Sequence, residues 1–457
     1  MGREASVHES WSSRSAFVLA AVGAAVGLGN IWRFPFIAGQ NGGGAFVLVY
    51  VGFVLLLAIP IITAELAMGR RGQQSAVLTM SKLAREAGCS QGWQVIGWLS
   101  ILVPMLGLTY YSVVASWAMD YVVQSAIGNF KGFDGEGSSA FFGELLASPW
   151  RMIFWHTVFI GITIFVVSRG VRKGLERSIK VMMPALFVIL LFMVVYAMFA
   201  GDFMAGVRFL FSPDFSKLTL PIVLMALGQA LFSVAVGVGV MITYGAYLPK
   251  NISLPWAAAV IGIIDTLVAV LAGLAIFPLV LGYGLDPAEG PGLIFVTLPV
   301  AFGQMPGGVL VGSLFFVLLT FAALTSSIGM LEPVVSWLEE RRGFKRPVMA
   351  LLAGLAAWLV GLSVVLSFNL WGNFRPLGMF SFFRDKTLFD VMDFFVANIF
   401  LPINALLIAV FAGWMMSRKS MQEELAFPDG RGFTYWRFTV RYVAPVAFGL
   451  IFFSTLK

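Results

Sequence analysis

Charged residues, cysteine and histidine are scarce in this sequence of 457 residues. Only 12% of the residues are charged, about half the fraction that soluble domains carry, so a soluble domain is not expected. The single cysteine, Cys89, excludes an intrachain disulfide and a cysteine metal cluster. The two histidines, His8 and His156, are isolated, and we interpret His156 as a packed side chain in an apolar run. Hydrolytic or metal-dependent enzyme chemistry is therefore not predicted.

Apolar residues, in contrast, make up 59% of the chain. Apolar stretches of about 18 residues or more recur along the whole length, and about 20 residues are needed to cross a bilayer as a helix. The pattern predicts an all-α polytopic membrane protein with eleven transmembrane helices. The predicted spans are residues 14–39, 45–68, 93–127, 152–169, 178–200, 222–247, 256–283, 307–338, 347–371, 388–416 and 435–456.

Basic residues concentrate in alternate connecting segments. Most of the 30 lysines and arginines fall on one side of the membrane if residues 1–13 form a cytoplasmic N-terminal segment. The positive-inside rule then predicts a multi-pass protein of the cell (plasma) membrane with a cytoplasmic N-terminus and an extracytoplasmic C-terminus. This distribution also explains the net charge of +7 without nucleic acid as a partner.

Two features recur five spans apart. Glycine-rich segments interrupt the first span (residues 23–29) and the sixth (231–239), and a carboxylate lies within the second span (Glu65) and the seventh (Asp265). Because five is odd, the second set of helices enters the membrane from the opposite side, which predicts an inverted repeat. Such matching interruptions point to the midplane binding site of a transporter. The predicted units are the first five-helix repeat at 14–200, the second at 222–416 and an additional helix at 435–456.

The polar side chains within the apolar spans are mostly oxygen donors. An unwound helix in a bilayer needs partners for its freed N–H and C=O groups, and a bound ion together with a zwitterionic ligand supplies both. Na⁺ is a hard cation that takes oxygen ligands, by analogy with Ca²⁺ and Mg²⁺. The candidate ligands are Asn30, Ser233, Asp265, Thr325 and Ser326.

Each of these features also has a purely structural interpretation. The glycine spacing in residues 23–27 is that of a helix-packing motif. The hydroxyls of Thr325 and Ser326 can bond to carbonyls one turn earlier in their own helix. Asp265 can be a protonated, hydrogen-bonded acid. For Glu65, the favoured interpretation is a structural acid that bonds the backbone of a broken helix.

Several motifs resemble those of one family. The segment GAAVGLGNIWRFP, which begins at residue 23, and NGGGAF, which begins at residue 41, resemble the first-helix signature of the neurotransmitter:sodium symporters, whose bacterial members transport amino acids. The resemblance implies a LeuT-like fold, with a five-plus-five inverted repeat and an eleventh helix. It also implies import of amino acids coupled to Na⁺ by alternating access, with no enzymatic activity. Further matches, in order along the chain, are Glu65 with MGR, Tyr110 with Tyr111, GQALFS at 228–233, FVTLP at 295–299 and LTSSI at 324–328.

The resemblance further implies two sodium sites, a substrate site and two gates. The implied ligands of the first sodium site are the Ala25 carbonyl, Asn30, Ser233, Asp265 and the substrate carboxylate. Those of the second are the carbonyls of Gly23, Val26 and Ala322 with the side chains of Thr325 and Ser326. The implied substrate contacts are Ala24, Ala25, Leu28, Gly29, Gly107, Tyr111, Phe232, Ser233, Ala235, Val238, Ser326 and Met330, with Tyr111 bonding the carboxylate. The implied outer gate is Arg33 with Asp393, above a lid made by Phe232 and Tyr111, and the implied inner gate is Trp11, Tyr247 and Glu340.

The sequence departs from the family pattern at three positions. His8 stands where the inner gate has an arginine. Asp265 stands where chloride-dependent relatives have asparagine, and Ala269 supplies no second acid. We therefore predict that Asp265 provides the fixed negative charge and that transport needs no chloride.

The kind of substrate follows from what lines the implied pocket. No acidic residue occurs at 23–30, so an amine without a carboxylate finds no counter-charge there, and an α-amino acid is favoured. Gly107, Ala235, Val238 and Met330 are apolar and mostly small, which favours a hydrophobic L-amino acid. The alternatives are a β- or γ-amino acid or taurine as substrate, or a non-transporting amino-acid sensor. We expect a bacterial protein that is a monomer or a weak homodimer.

Overall fold

The computed structural model describes residues 9–427 and 430–455, and it contains no β-strand in these ranges. The predicted gate position His8 lies outside the described residues. In chain order the helices are α1 (Arg14–Ala25), α2 (Gly29–Gln40), α3 (Gly44–Gly72), α4 (Ala76–Glu86), α5 (Gln91–Ala126), α6 (Gly135–Ala147), α7 (Pro149–Ser168), α8 (Val171–Ala200), α9 (Phe203–Phe211), α10 (Leu220–Ser233), α11 (Val240–Ala246), α12 (Leu254–Gly282), α13 (Leu293–Gln304), α14 (Gly308–Arg342), α15 (Arg346–Leu366), α16 (Leu388–Met415), α17 (Arg418–Leu425) and α18 (residues 430–455).

Long apolar helices form most of the molecule. Within the described residues, eight helices are long and apolar enough to cross a membrane, and α1 with α2 is a ninth span if this pair, bent by 51°, is counted as one. This confirms the predicted all-α membrane class. The predicted sixth span is divided into α10 and α11, of 14 and 7 residues, and the predicted eleventh corresponds to α18. The total of eleven crossings stays a prediction, because α10, α11 and α18 are not among these helices.

Short helices that the sequence analysis does not predict connect several of the long ones. They are α4, α6, α9, α13 and α17. α4, for example, buries Val77, Met80 and Leu83 on one face, and α6 starts where the Asp134 side chain accepts a hydrogen bond from Gly137 N at 2.8 Å. Such helices carry an apolar stripe rather than a long apolar run, so a search for membrane spans does not find them.

Two broken helices meet inside the bundle. Residues 26–28 separate α1 from α2, and residues 234–239 separate α10 from α11. In the second break Ala235, Gly237 and Gly239 have φ values of 57°, 79° and 90°. Glycine adopts this left-handed conformation readily, whereas alanine does so only at a cost. α1 packs against α12 and α14, and α11 packs against α3, so both breaks lie in the protein interior.

Glycines in the first break allow this close packing. A Cβ atom added at Gly27 would lie 2.5 Å from Ser326 Oγ and 2.7 Å from the Tyr111 hydroxyl oxygen. One added at Gly23 would lie 3.4 Å from Thr325 Cβ. The packing interpretation of the glycine spacing therefore describes part of their role, and the same close approach brings the polar side chains of α5 and α14 to the broken backbone.

Candidate substrate and sodium site

Asn30, Ser233 and Asp265 meet beside the first break, although they come from three helices, α2, α10 and α12. Asn30 Nδ2 donates to Ser233 Oγ (2.9 Å) and to the Asp265 carbonyl oxygen (3.0 Å). Ser233 Oγ donates to Asp265 Oδ2 (2.5 Å). None of the three residues is more than 1% exposed. The structure thus brings together the side chains predicted for the first sodium site.

The Asp265 carboxylate keeps one oxygen atom without a partner. Its Oδ1 atom is buried and forms no hydrogen bond with the described part of the chain, where no basic side chain forms an ion pair with Asp265. An uncompensated buried charge is costly. The space beside Asp265 Oδ1 therefore suits a small cation that takes oxygen ligands.

A second group of oxygen atoms lies between α1 and α14. Ser326 Oγ donates to the Val26 carbonyl oxygen at 3.1 Å, which joins α14 to the first break. Thr325 Oγ1 donates to the Ala322 carbonyl oxygen (3.0 Å) one turn earlier, as its structural interpretation expects. Because Gly23 faces Thr325, the five residues predicted for the second sodium site are neighbours.

An apolar cavity of about 50 Å³ lies between these two groups. Apart from Leu28, every predicted substrate contact lines it, and Leu28 lines a separate outer cavity instead. The lining residues that are not among the predicted substrate contacts come from the first break and from α5, α11 and α16. They are Gly27, Val103, Pro104, Tyr110, Val240, Val396 and Leu401.

The outer cavity has a volume of about 370 Å³, and Tyr111 and Phe232 line both cavities. The Tyr111 hydroxyl accepts a hydrogen bond from Leu28 N at 3.1 Å. Arg33 and Asp393, the predicted outer gate, both line the outer cavity, but no ion pair within 4 Å joins them. The Arg33 guanidinium instead lies 4.2 Å from the centre of the Phe232 ring. Arg33 and Asp393 therefore line the same cavity, but they do not form an ion pair with each other.

Trp11, a predicted inner-gate residue, packs against α11, which lines the central cavity through Val240. Its indole Nε1 donates to the Tyr244 carbonyl oxygen at 3.1 Å, its backbone N donates to the Tyr247 carbonyl oxygen at 3.4 Å, and the residue is 4% exposed. The centre of its ring lies 5.1 Å from that of Tyr244. These contacts hold Trp11 against α11.

Tyr247 contacts Glu332, an acid that is not among the predicted gate residues. The Tyr247 hydroxyl donates to Glu332 Oε1 at 2.8 Å, and the other carboxylate oxygen pairs with Arg346. The predicted gate acid Glu340 accepts a hydrogen bond from Ser75 N at 2.9 Å. An acid within a long apolar span is a functional candidate by default, and that signal was available for Glu332.

Glu65 holds the second break. Its Oε1 atom accepts a hydrogen bond from Gly237 N at 2.8 Å, and Asn404 Nδ2 donates to the Gly237 carbonyl oxygen at 2.7 Å. Both groups of this unwound residue are thus bonded by buried side chains, as a break inside a bilayer requires. These contacts agree with the structural interpretation of Glu65, in which the acid bonds the backbone of a broken helix.

Comparisons with known proteins agree with this geometry. Residues 8–131 and 147–457 match the profile of the sodium:neurotransmitter symporter family. The chain is 38% identical over 449 residues to the uncharacterized sodium-dependent transporter YhdH of Bacillus subtilis, with 98% of this chain and 97% of that protein covered. It is 32% identical to an uncharacterized sodium-dependent transporter of Haemophilus influenzae, with 98% of each covered.

A solved structure is similar over the same extent. The crystal structure of MhsT in complex with L-phenylalanine matches with a TM-score of 0.89 and 39% sequence identity. The match covers 98% of this chain and 100% of the other. The relatives and the solved structure are transporters rather than enzymes.

Proposed function

The chain belongs to the sodium:neurotransmitter symporter family and is a sodium-dependent transporter, and from this premise we propose that it imports hydrophobic L-α-amino acids by symport with Na⁺. One observation carries the proposal. The buried Asn30, Ser233 and Asp265 converge at one edge of an apolar cavity, beside the unwound backbone of two helices. The oxygen donors suit a cation and a carboxylate, and the apolar lining suits a hydrophobic side chain.

Two sodium ions bind as co-substrates in this proposal. The first is held by the Ala25 carbonyl with Asn30, Ser233, Asp265 and the substrate carboxylate. Asp265 Oδ1 supports this assignment, because it is buried and unpaired within the described residues. The second sodium ion is held by carbonyls and hydroxyls between α1 and α14. The hydrogen bond of Ser326 Oγ to the Val26 carbonyl oxygen supports this second site. The ligands of the second sodium ion are Gly23, Val26, Ala322, Thr325 and Ser326.

The substrate lies in the central cavity with its carboxylate toward Tyr111 and its side chain toward Gly107, Val238 and Met330. The Tyr111 hydroxyl already lies against the broken backbone at Leu28, where a carboxylate finds N–H and O–H donors. The apolar lining supports a hydrophobic side chain. The similar MhsT was crystallised in complex with L-phenylalanine, an amino acid with such a side chain.

Chloride is not needed in this proposal, because Asp265 supplies the negative charge beside the first sodium ion. The surroundings of Asp265 are buried as well, and they include Tyr50, Gln229 and Ser233. The position one turn along α12 is Ala269, so Asp265 is the acid of this helix that faces the site. A halide next to this carboxylate would be repelled.

Transport proceeds by alternating access, in which the first, second, sixth and seventh predicted spans move against the third, fourth, eighth and ninth. Two observations support an outward-facing arrangement of the described chain. The outer cavity is open, and Trp11, a predicted inner-gate residue, is packed against α11. Closing the outer side brings Arg33 to Asp393 above the lid of Tyr111 and Phe232. Opening the inner side releases Trp11 from α11. The N-terminus faces the cytoplasm, as the distribution of basic residues supports.

Binding of labelled L-phenylalanine to the purified protein tests the substrate assignment. We expect saturable binding in sodium chloride and in sodium gluconate, and none in choline chloride. Branched-chain and aromatic L-amino acids should compete. Loss of binding in gluconate would contradict the chloride assignment, and displacement by taurine or γ-amino acids alone would contradict the substrate class.

A further inference from the structure

Three arginines gather near the end of α16, one at the start of α17 and two within the first half of α18. Arg418, Arg437 and Arg441 line a pocket of about 210 Å³, which we call the arginine pocket. Within the described residues, none of the three forms an ion pair with an acidic side chain within 4 Å. Three like charges in one pocket repel one another, so the arrangement favours an anion between them.

Guanidinium atoms in this pocket lack partners. Arg437 Nη1 and Arg441 Nε are buried and form no hydrogen bond with the described residues. Arg437 Nη2 has only a long bond of 3.3 Å to the Met416 carbonyl oxygen. Buried donors of this kind are costly when they are left unsatisfied. Guanidinium groups match the oxygen atoms of a phosphate, to which they donate in pairs.

The surroundings of the pocket are aromatic and exposed. Trp414, Phe438 and Tyr442 are 45%, 56% and 46% exposed, and the Arg441 guanidinium lies 3.9 Å from the centre of the Trp414 ring. Exposed Trp and Tyr side chains at the end of a membrane span are typical of the headgroup level of a bilayer. We therefore expect a pocket beside these rings to lie at the level of the lipid headgroups.

We propose that the arginine pocket binds the phosphate of an anionic phospholipid headgroup. The apolar faces of Phe438 and Tyr442 contact the upper acyl chains, and the three guanidinium groups hold the phosphate. Basic pockets between transmembrane helices on the cytoplasmic side bind such headgroups in membrane proteins. The site is separate from the substrate cavity, so it does not depend on which amino acid is carried.

Lipid retention by the full-length protein tests this proposal. The protein is exchanged into detergent with mixed phosphatidylglycerol and phosphatidylcholine, and the lipids that stay bound are measured by native mass spectrometry. We expect phosphatidylglycerol to be retained in preference. Arg437→Gln and Arg441→Gln should each weaken its binding about fivefold. Arg85→Gln, which removes an exposed charge from α4 at the same end of the molecule, should leave it unchanged.

The other outcomes overturn the proposal. Equal retention of both lipids, or equal loss in Arg85→Gln, would mean that the pocket does not recognise the headgroup. If inorganic phosphate protects the protein against heat as well as phosphatidylglycerol does, the pocket binds free phosphate. Should Arg437→Gln fail to fold, Arg418→Gln is measured in its place, and an unchanged lipid preference in that variant would also refute the site.

Discussion

Gly107→Ala tests which end of the cavity receives the substrate side chain. A Cβ atom added at Gly107 would lie 3.8 Å from Met330 Sδ and 3.8 Å from Val396 Cγ1, which is ordinary van der Waals contact. The protein therefore accepts the methyl group without strain, and the methyl group projects into a cavity of about 50 Å³. Only a bound side chain competes with it for space.

The expected effect depends on the size of the substrate side chain. An aromatic side chain that is overpacked by one methyl group loses about 1–3 kcal/mol, which is about 5- to 150-fold in affinity. L-Alanine leaves this end of the cavity unfilled and gains up to about 0.8 kcal/mol from the added contact. Competition for uptake by L-phenylalanine and L-alanine, measured in the same vesicles, gives the ratio of the two affinities.

A matched variant separates this effect from a general disturbance. Gly161→Ala adds the same methyl group to α7 at a position with no atom within 4 Å, so both affinities should stay unchanged. An equal loss for L-phenylalanine and L-alanine in Gly107→Ala would refute the assignment of the side chain to this end. So would an unchanged ratio in a folded variant.

Three further variants test the sodium site and the inner closure. Asn30→Ala removes a proposed uncharged ligand of Na⁺, so the sodium concentration for half-maximal binding should rise about 10-fold or more. An unchanged sodium dependence would count against the site. Asp265→Asn removes a charge that contributes up to about 4 kcal/mol at about 4 Å and an effective dielectric of 20, so sodium affinity should fall by up to about 1000-fold and chloride should restore part of it. If the sodium affinity of Asp265→Asn does not respond to chloride, the proposal that Asp265 takes the place of chloride loses its support. Trp11→Ala removes the ring that packs on α11, so a cysteine introduced at Ala24 in a Cys89→Ser background should be labelled faster from the cytoplasmic side; unchanged labelling would mean that Trp11 does not close this path.

Local sequence patterns predicted most of the features that depend on a single helix, such as its position along the chain and its break. The apolar runs located the long helices, and the glycines of residues 23–29 located the first break. The oxygen donors Asn30, Ser233 and Asp265 could be selected because polar residues are rare in apolar spans. Their convergence at one point was implied by the family resemblance, and the hydrogen bonds between them are seen only in the structure.

Contacts between distant helices could not be predicted in the same way. Tyr247 bonds to Glu332, which is not among the predicted gate residues, because the position of α11 against α14 decides which turn of α14 it meets. The lining by Val396 and Leu401 depends on the packing of α16, and no motif marks these residues. Leu28 lines the outer cavity rather than the central one, and because it lies in the break between α1 and α2, no helical periodicity predicts which cavity it lines.

Uptake driven by a sodium gradient tests the central claim most directly. The protein is reconstituted into liposomes, and accumulation of labelled L-phenylalanine is followed with Na⁺ outside and choline inside, with gluconate in place of chloride. Symport predicts accumulation above the external concentration, which collapses when the sodium gradient is dissipated. Uptake that proceeds equally with choline on both sides would contradict sodium coupling.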